Sequence, residues 1–263
     1  METRQFIIYL AVKHGGNWDE IYKNIVDFKE EDRLAIDYPL NLDCKALTII
    51  DEEYPRWLKE IYKPPFVLFY YGDLSLIQNP YKCLAVVGPR VPNPKAVEHT
   101  ERIIGELSKD IVIVSGLASG IDSIAHQSAI NHGLKTVAVL GTGIDMCYPS
   151  ENYDLYKIMS ESHLVISERP PKAFVEPFRF ALRNRIISGL SKTVFIPDGL
   201  NKSGTAITAM FALQQNRDLC CLPGEINADS LCNSLIKRGA YLVEKGEDIM
   251  DIMGFGKLLF PLK

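Results

Sequence analysis

Hydrophobic positions along the chain follow two alternating periods. Short aliphatic runs stand at 83–87 (CLAVV), 111–114 (IVIV), 136–140 (TVAVL), 163–166 (HLVI), 193–196 (TVFI), 218–222 (DLCCL) and 241–243. Runs of this length without polar interruption predict strands buried on both faces. Between them, helical spacing recurs at roughly 94–108, 121–131, 150–161, 176–190, 205–215, 229–238 and 246–252. The alternation predicts an α/β protein built on a mostly parallel sheet with helices on both faces. Ahead of it, a β-rich run at 47–50, a short helix at 54–61 and a strand at 66–72 lead in, and residues 1–42 read as two or three short helices.

One stretch organises the rest. In 111–130, IVIVSGLASGIDSIAHQSAI, a strand passes through Ser115–Gly120 into a helix whose Ile121, Ile124, Ala125, Ala129 and Ile130 share a face. Gly116 and Gly120 permit close backbone approach, and the helix start offers unpaired N–H groups and a positive dipole end, a seat for an anion. Taken alone, the turn fits an empty strand-to-helix connection equally well. Three more strands lead into glycine-bearing turns: Gly88-Pro89-Arg90, Gly141-Thr142-Gly143 and Lys202-Ser203-Gly204-Thr205. The carboxyl ends of parallel strands share one edge, so these four turns can gather around one crevice. A dinucleotide fingerprint fits poorly, because Met146 stands where GxGxxG needs its last glycine, and no GxxxxGK[ST] is present.

Residues 177–197, PFRFALRNRIISGLSKTVFIP, carry Arg179, Arg183, Arg185 and Lys192 and no acid. Phe178, Leu182, Ile186 and Leu190 predict the buried stripe, with Arg179 and Arg183 on an adjoining face. A positive field interleaved with Phe174, Phe178 and Phe180 suits a phosphate backbone and stacked bases.

Composition narrows the picture. The 263 residues carry a formal charge of -4 and 47% hydrophobic residues, so any polyanion site must be a local basic patch. The six cysteines form no CxxC pair and no zinc-like spacing with the five histidines, which predicts reduced thiols, no metal, and a soluble cytoplasmic protein. No run reaches membrane-spanning length. Asp122 and His126, four apart on one helix, are compatible with an acid–base pair, but a structural role fits better, since no nucleophile motif accompanies them. Glu168 and Asp145 read either as ligand contacts or as carboxylates that fix turns.

In order along the chain stand PPFVLFYYGD (64–73), AVVGPR (85–90), VSGLASGIDSIAHQSAI (114–130), TVAVLGTGIDMCYPSEN (136–152), ISERPP (166–171), RNRIISGLS (183–191), KSGTAITAMFAL (202–213), LPG (222–224) and NSLIKRGA (233–240). With these motifs the sequence resembles the DNA-processing protein A family, also called DprA or Smf. The resemblance implies an extended Rossmann-like domain over 43–263, with 1–42 as a small helical N-terminal segment. It implies a non-catalytic protein without cofactors, commonly a homodimer, that binds single-stranded DNA and loads the RecA recombinase onto it during natural transformation. The strand would be held by Gly88, Arg90, Ser115, Gly116, Ala118, Gly120, Gly141, Gly143, Arg179, Arg183, Asn184, Arg185, Lys202, Ser203, Gly204 and Thr205. A nucleotide-processing enzyme on the same fold is the alternative. The dimer surface is expected in the apolar 205–222 region or in GFGKLLFPLK, 254–263. Two departures stand out: Pro89 replaces a hydroxyl residue before Arg90, and Phe178-Arg179-Phe180 replaces a lysine-containing approach to Arg183-Asn184-Arg185. Many members carry a winged-helix domain after the core, and the residues that follow the last predicted helix are too few for one.

Overall fold

The computed structural model describes residues 3–28, 42–226 and 229–255. Its strands are β1 (Lys45–Thr48), β2 (Val67–Gly72), β3 (Cys83–Val86), β4 (Val112–Ser115), β5 (Lys135–Leu140), β6 (Leu164–Ser167), β7 (Thr193–Ile196), β8 (Asp218–Cys221) and β9 (Tyr241–Leu242). They form one nine-stranded sheet in the order β1-β2-β6-β5-β4-β3-β7-β8-β9. Neighbours from β6 through β9 pair parallel, whereas β2 meets β6, and β1 meets β2, antiparallel. The expected α/β class, with a mostly parallel sheet, is therefore observed.

The helices are α1 (Thr3–Lys13), α2 (Trp18–Val26), α3 (Arg56–Lys59), α4 (Pro94–Glu106), α5 (Ile121–Asn131), α6 (Tyr153–Ser162), α7 (Pro177–Gly189), α8 (Gly204–Gln214), α9 (Leu231–Ile236) and α10 (Gly246–Ile252). Alternate residues of each strand feed opposite layers, as the period of two requires. Val112 and Val114 pack with Leu58 of α3, Ile186 and Leu190 at α7, Ala209 of α8 and Leu235 of α9. Ile113 instead meets Ile103 and Ile104 of α4, Ile121 and Ala125 of α5, and Ile249 of α10. Farther along the second face, Ile7 and Leu10 of α1, Ile21 of α2 and Met159 of α6 cover Phe69 and Val165. The N-terminal helices thus share a core with the sheet. The expectations for 29–41 and 256–263 fall outside the described residues.

Two local differences have simple causes. The helix expected over 54–61 shrinks to the four residues of α3, because Pro55 stands at its N-cap and keeps Tyr54 before it out of helical backbone. The loss of a hydroxyl at Pro89 is compensated downstream, where the Asn93 side chain accepts the Lys95 N–H at 2.9 Å and caps α4. No described helix is long and apolar enough to cross a membrane.

From β3 the chain builds outward through β4, β5 and β6, then returns to place β7 on the other side of β3. The strand order reverses there, and the connections at the carboxyl ends part around a crevice.

Candidate nucleic-acid interface

The turn after β4 is shaped from beneath by α7. Arg183 is 4% exposed and donates from Nη1 to the carbonyls of Gly116, at 2.6 Å, and Val139. A Cβ on Gly116 would lie 2.3 Å from the Arg183 Nη1, so only glycine lets the turn close over this guanidinium. Gly120, with φ +77, brings the turn within 2.4 Å of the Pro89 carbonyl, measured from where its own Cβ would stand. Asp122 is buried behind the same turn. Burial raises its pKa, opposed by the Arg183 charge and by N–H groups of Ala118 and Gly116. Burial, followed by the Asp122 and Arg90 charges acting in opposite senses, leaves Arg183 with its pKa lowered to about 10.

The arginines expected to give α7 a positive face toward a phosphate backbone are turned inward. Arg179 is 7% exposed and its Nε donates to Glu176 at 3.1 Å, a carboxylate that Arg169 also binds at 2.8 Å. Arg185 is 0% exposed and holds Glu168 bidentately at 3.0 and 2.6 Å while donating to the Lys63 carbonyl. Phe178, expected in the buried stripe, is instead 58% exposed. The inversion has an electrostatic cause: the acids that neutralise these arginines, Glu168 and Glu176, stand just before the acid-free stretch. An arginine surrounded by carboxylates and carbonyls is tolerated inside. Arg179 and Arg185 thus face carboxylates inside the fold, and Arg183 supports the Gly116 turn through two carbonyls.

Other expected site residues separate into two groups. Gly88 and Arg90, Ala118 and Gly120, and Asn184 with Lys202, Ser203 and Gly204 share one rim. Asn184 links its two halves, accepting from the Arg183 Nε at 3.2 Å and donating to the Gly204 carbonyl at 3.5 Å. The Ser203 hydroxyl caps α8 by accepting the Ala206 N–H at 3.2 Å, and Lys202 is exposed. Ser115, Gly141, Gly143 and Thr205 are buried instead. Ser115 donates to the Val86 carbonyl at 2.6 Å, and Gly141 lies beneath the Phe180 ring. Gly143 abuts the Pro170 carbonyl, turned toward the β6–α7 loop rather than toward the rim. In this structure these four positions pack against neighbouring elements.

What faces solvent at the rim is Arg90. Its guanidinium stands 6.0 Å from the Phe180 ring centroid, and Tyr148 lies 5.3 Å from the same ring. Arg90, Ser119 and the 147–151 loop line an open pocket of ≈ 370 Å³. Tyr148 was not among the expected residues; the signal was an aromatic beside Pro149, in a turn at the end of a buried strand. The Asp122–His126 acid–base alternative loses its chemistry to burial. His126 is pushed down to about 3 by burial, and its Nδ1 lies 2.7 Å from the Thr136 hydroxyl. Asp145 accepts the Lys172 N–H with both oxygens, at 2.9 and 3.1 Å, which makes it the turn-fixing carboxylate.

Comparison with known proteins places this geometry. Residues 45–254 match the family model described as DNA recombination-mediator protein A. The DNA processing protein DprA of Streptococcus pneumoniae is 42% identical over 208 residues, covering 78% of this chain and 73% of that protein. The Bacillus subtilis protein of the same name is 40% identical over 214 residues, covering 78% and 70%. Among solved structures, that of the S. pneumoniae protein aligns with a TM-score of 0.77 at 34% identity, over 95% of this chain and 93% of the other. The Helicobacter pylori DprA structure, whose subject is its mode of binding single-stranded DNA, aligns with a TM-score of 0.72 at 28% identity, over 81% and 96%. On the family match and these identities, the chain belongs to the DNA recombination-mediator protein A family.

Proposed function

We propose that this chain is a non-catalytic mediator that binds single-stranded DNA across the rim formed by the Gly88–Arg90, Ala118–Gly120 and Lys202–Gly204 turns. The observation that carries the reading is the exposed Arg90 guanidinium over Phe180, with Tyr148 alongside. A cation for the phosphate and rings for the bases are the two elements a sequence-tolerant single-strand site needs. The single-strand subject of the H. pylori structure supports the same ligand. Loading of RecA during transformation rests on the family relationship.

Fluorescence anisotropy with labelled oligo-dT tests the site. Arg90→Ala weakens binding at least ten-fold for every sequence alike, since phosphate contacts carry no sequence information. It also lowers the log–log salt slope by about 0.7, the contribution of one phosphate on a single strand. Unchanged affinity and slope would remove Arg90 from the site. Affinity confined to mononucleotides would favour the enzyme alternative.

The homodimer forms, in this reading, where the sheet ends. On α8 and β9, Met210, Leu213, Tyr241 and Leu242 are 48%, 62%, 52% and 48% exposed, and among the described strands β9 stands at the edge of the sheet. Sedimentation of Leu213→Glu is expected to give monomers where the wild-type chain gives dimers; dimers of unchanged affinity would place the interface elsewhere.

A further inference from the structure

A second and larger cleft, of ≈ 640 Å³, lies across the switch point from Arg90. It falls within the size of small-molecule sites, about 300–1,000 Å³, and no role described above uses it. The loop after β3 forms the ridge between the two cavities: Arg90 lines the first and Asn93 the second. The ridge is fastened, because Asp198 Oδ2 accepts the Asn93 N–H at 2.9 Å while its Oδ1 accepts the Gly199 N–H at 2.7 Å.

The lining chemistry limits what can enter. Ala96, Pro197, Leu200, Leu222, Pro223 and Val243 give apolar surface on several sides. Three basic side chains, Lys95, His99 and Arg102, face three acids, Asp198, Glu225 and Glu244. Arg102 is already committed to Glu106 and to the Glu244 carbonyl, at 3.0 and 2.8 Å. No net positive field remains inside, so a phosphate is not drawn in. The volume and the mixed apolar and polar lining admit a flat, uncharged heterocycle with polar edges. The Nδ1 of His99 is shielded from solvent without a hydrogen-bond partner, so no protein contact at that nitrogen fixes the ring's tautomer. Lys95 is exposed at the mouth, where a phosphate attached to the heterocycle would emerge.

We propose that this cleft, walled by α4 and the ends of β7 and β8, binds the base of a nucleotide whose phosphate stays outside at Lys95. The nucleotide is either one unit of a strand that crosses the ridge or a free mononucleotide. Only the first source rests on the strand-binding reading above.

NMR of the full chain, observing the His99 imidazole, tests the assignment with adenosine monophosphate, adenosine and inorganic phosphate as separate probes. Both adenine compounds are expected to shift the His99 resonances saturably, and phosphate alone leaves them in place. His99→Phe, which keeps the ring and removes its nitrogens, weakens adenosine monophosphate at least five-fold by calorimetry, and so does cleft-filling Ala96→Leu. Displacement of the mononucleotide by oligo-dA assigns the cleft to a strand unit, and co-binding assigns it to a free nucleotide; both support the proposal. Equal shifts with phosphate alone, or none with either adenine compound, overturn it. Loss of oligonucleotide binding in Arg90→Ala reports separately on the rim.

Discussion

Gly116→Ala abolishes oligonucleotide binding and destabilises the protein by about 3–5 kcal/mol, the largest effect expected from one added methyl. The new Cβ would stand 2.3–2.5 Å from the Arg183 guanidinium atoms. A surface arginine would swing aside at little cost. Arg183 is 4% exposed and bound to the Gly116 and Val139 carbonyls, so it has nowhere to go. Either the turn lifts or the guanidinium loses its acceptors. Each hydrogen bond to a charged group contributes about 1.5–3 kcal/mol, and a charge left buried without partners costs more. Urea denaturation and oligo-dT anisotropy measure the two consequences. A variant with wild-type midpoint and affinity would show that the turn does not need this closeness. Arg183→Lys, which keeps the charge but not the planar fork, separates shape from charge.

Removing one member of the Arg185–Glu168 pair has a comparable effect on stability. The two side chains are 0% and 6% exposed and bond bidentately. Arg185→Met leaves Glu168 as a buried, unpaired carboxylate, and the expected loss is about 3–5 kcal/mol. The double change Arg185→Met with Glu168→Gln recovers a large part of it, because the orphaned charge disappears. A double-mutant cycle by urea unfolding reads the coupling directly. Additive losses would mean that the pair is solvated rather than enclosed. In neither variant does the exposed Arg90 lose its own ring contacts, so residual folded protein retains single-strand binding.

The sheet was legible because its strands are mostly aliphatic runs and its helices keep their period; the strand order and the antiparallel pairing of β1, β2 and β6 were not, since neither leaves a local pattern. That three of the four glycine turns, those at Gly88, Gly120 and Gly204, gather on one side was legible too, since parallel strands end on one edge. What the pattern could not convey was the direction of side chains on α7. A window counting residues 177–197 sees four cations and no acid, yet Glu176 lies one residue outside it and Glu168 reaches Arg185 from the end of β6. Amphipathicity misled for the same reason: a paired arginine behaves as interior, and Phe178 was left outside. Gly141 and Gly143 looked like ligand turns, but their missing side chains admit Phe180 and the Pro170 carbonyl. Tyr148 went unassigned because an aromatic beside Pro149 marks a turn but not the neighbouring element its ring faces.

The inward-turned arginines of α7 also bear on discrimination between forms of DNA. Arg179 and Arg185 face carboxylates and Arg183 faces two carbonyls, so these three guanidinium groups are held inside the fold instead of forming an exposed basic track. What the surface offers instead is ring faces, and a duplex keeps its own bases stacked on each other and out of reach. On the proposed reading, bases that are already uncovered gain contacts with Phe180 and Tyr148 that the stacked bases of a duplex do not.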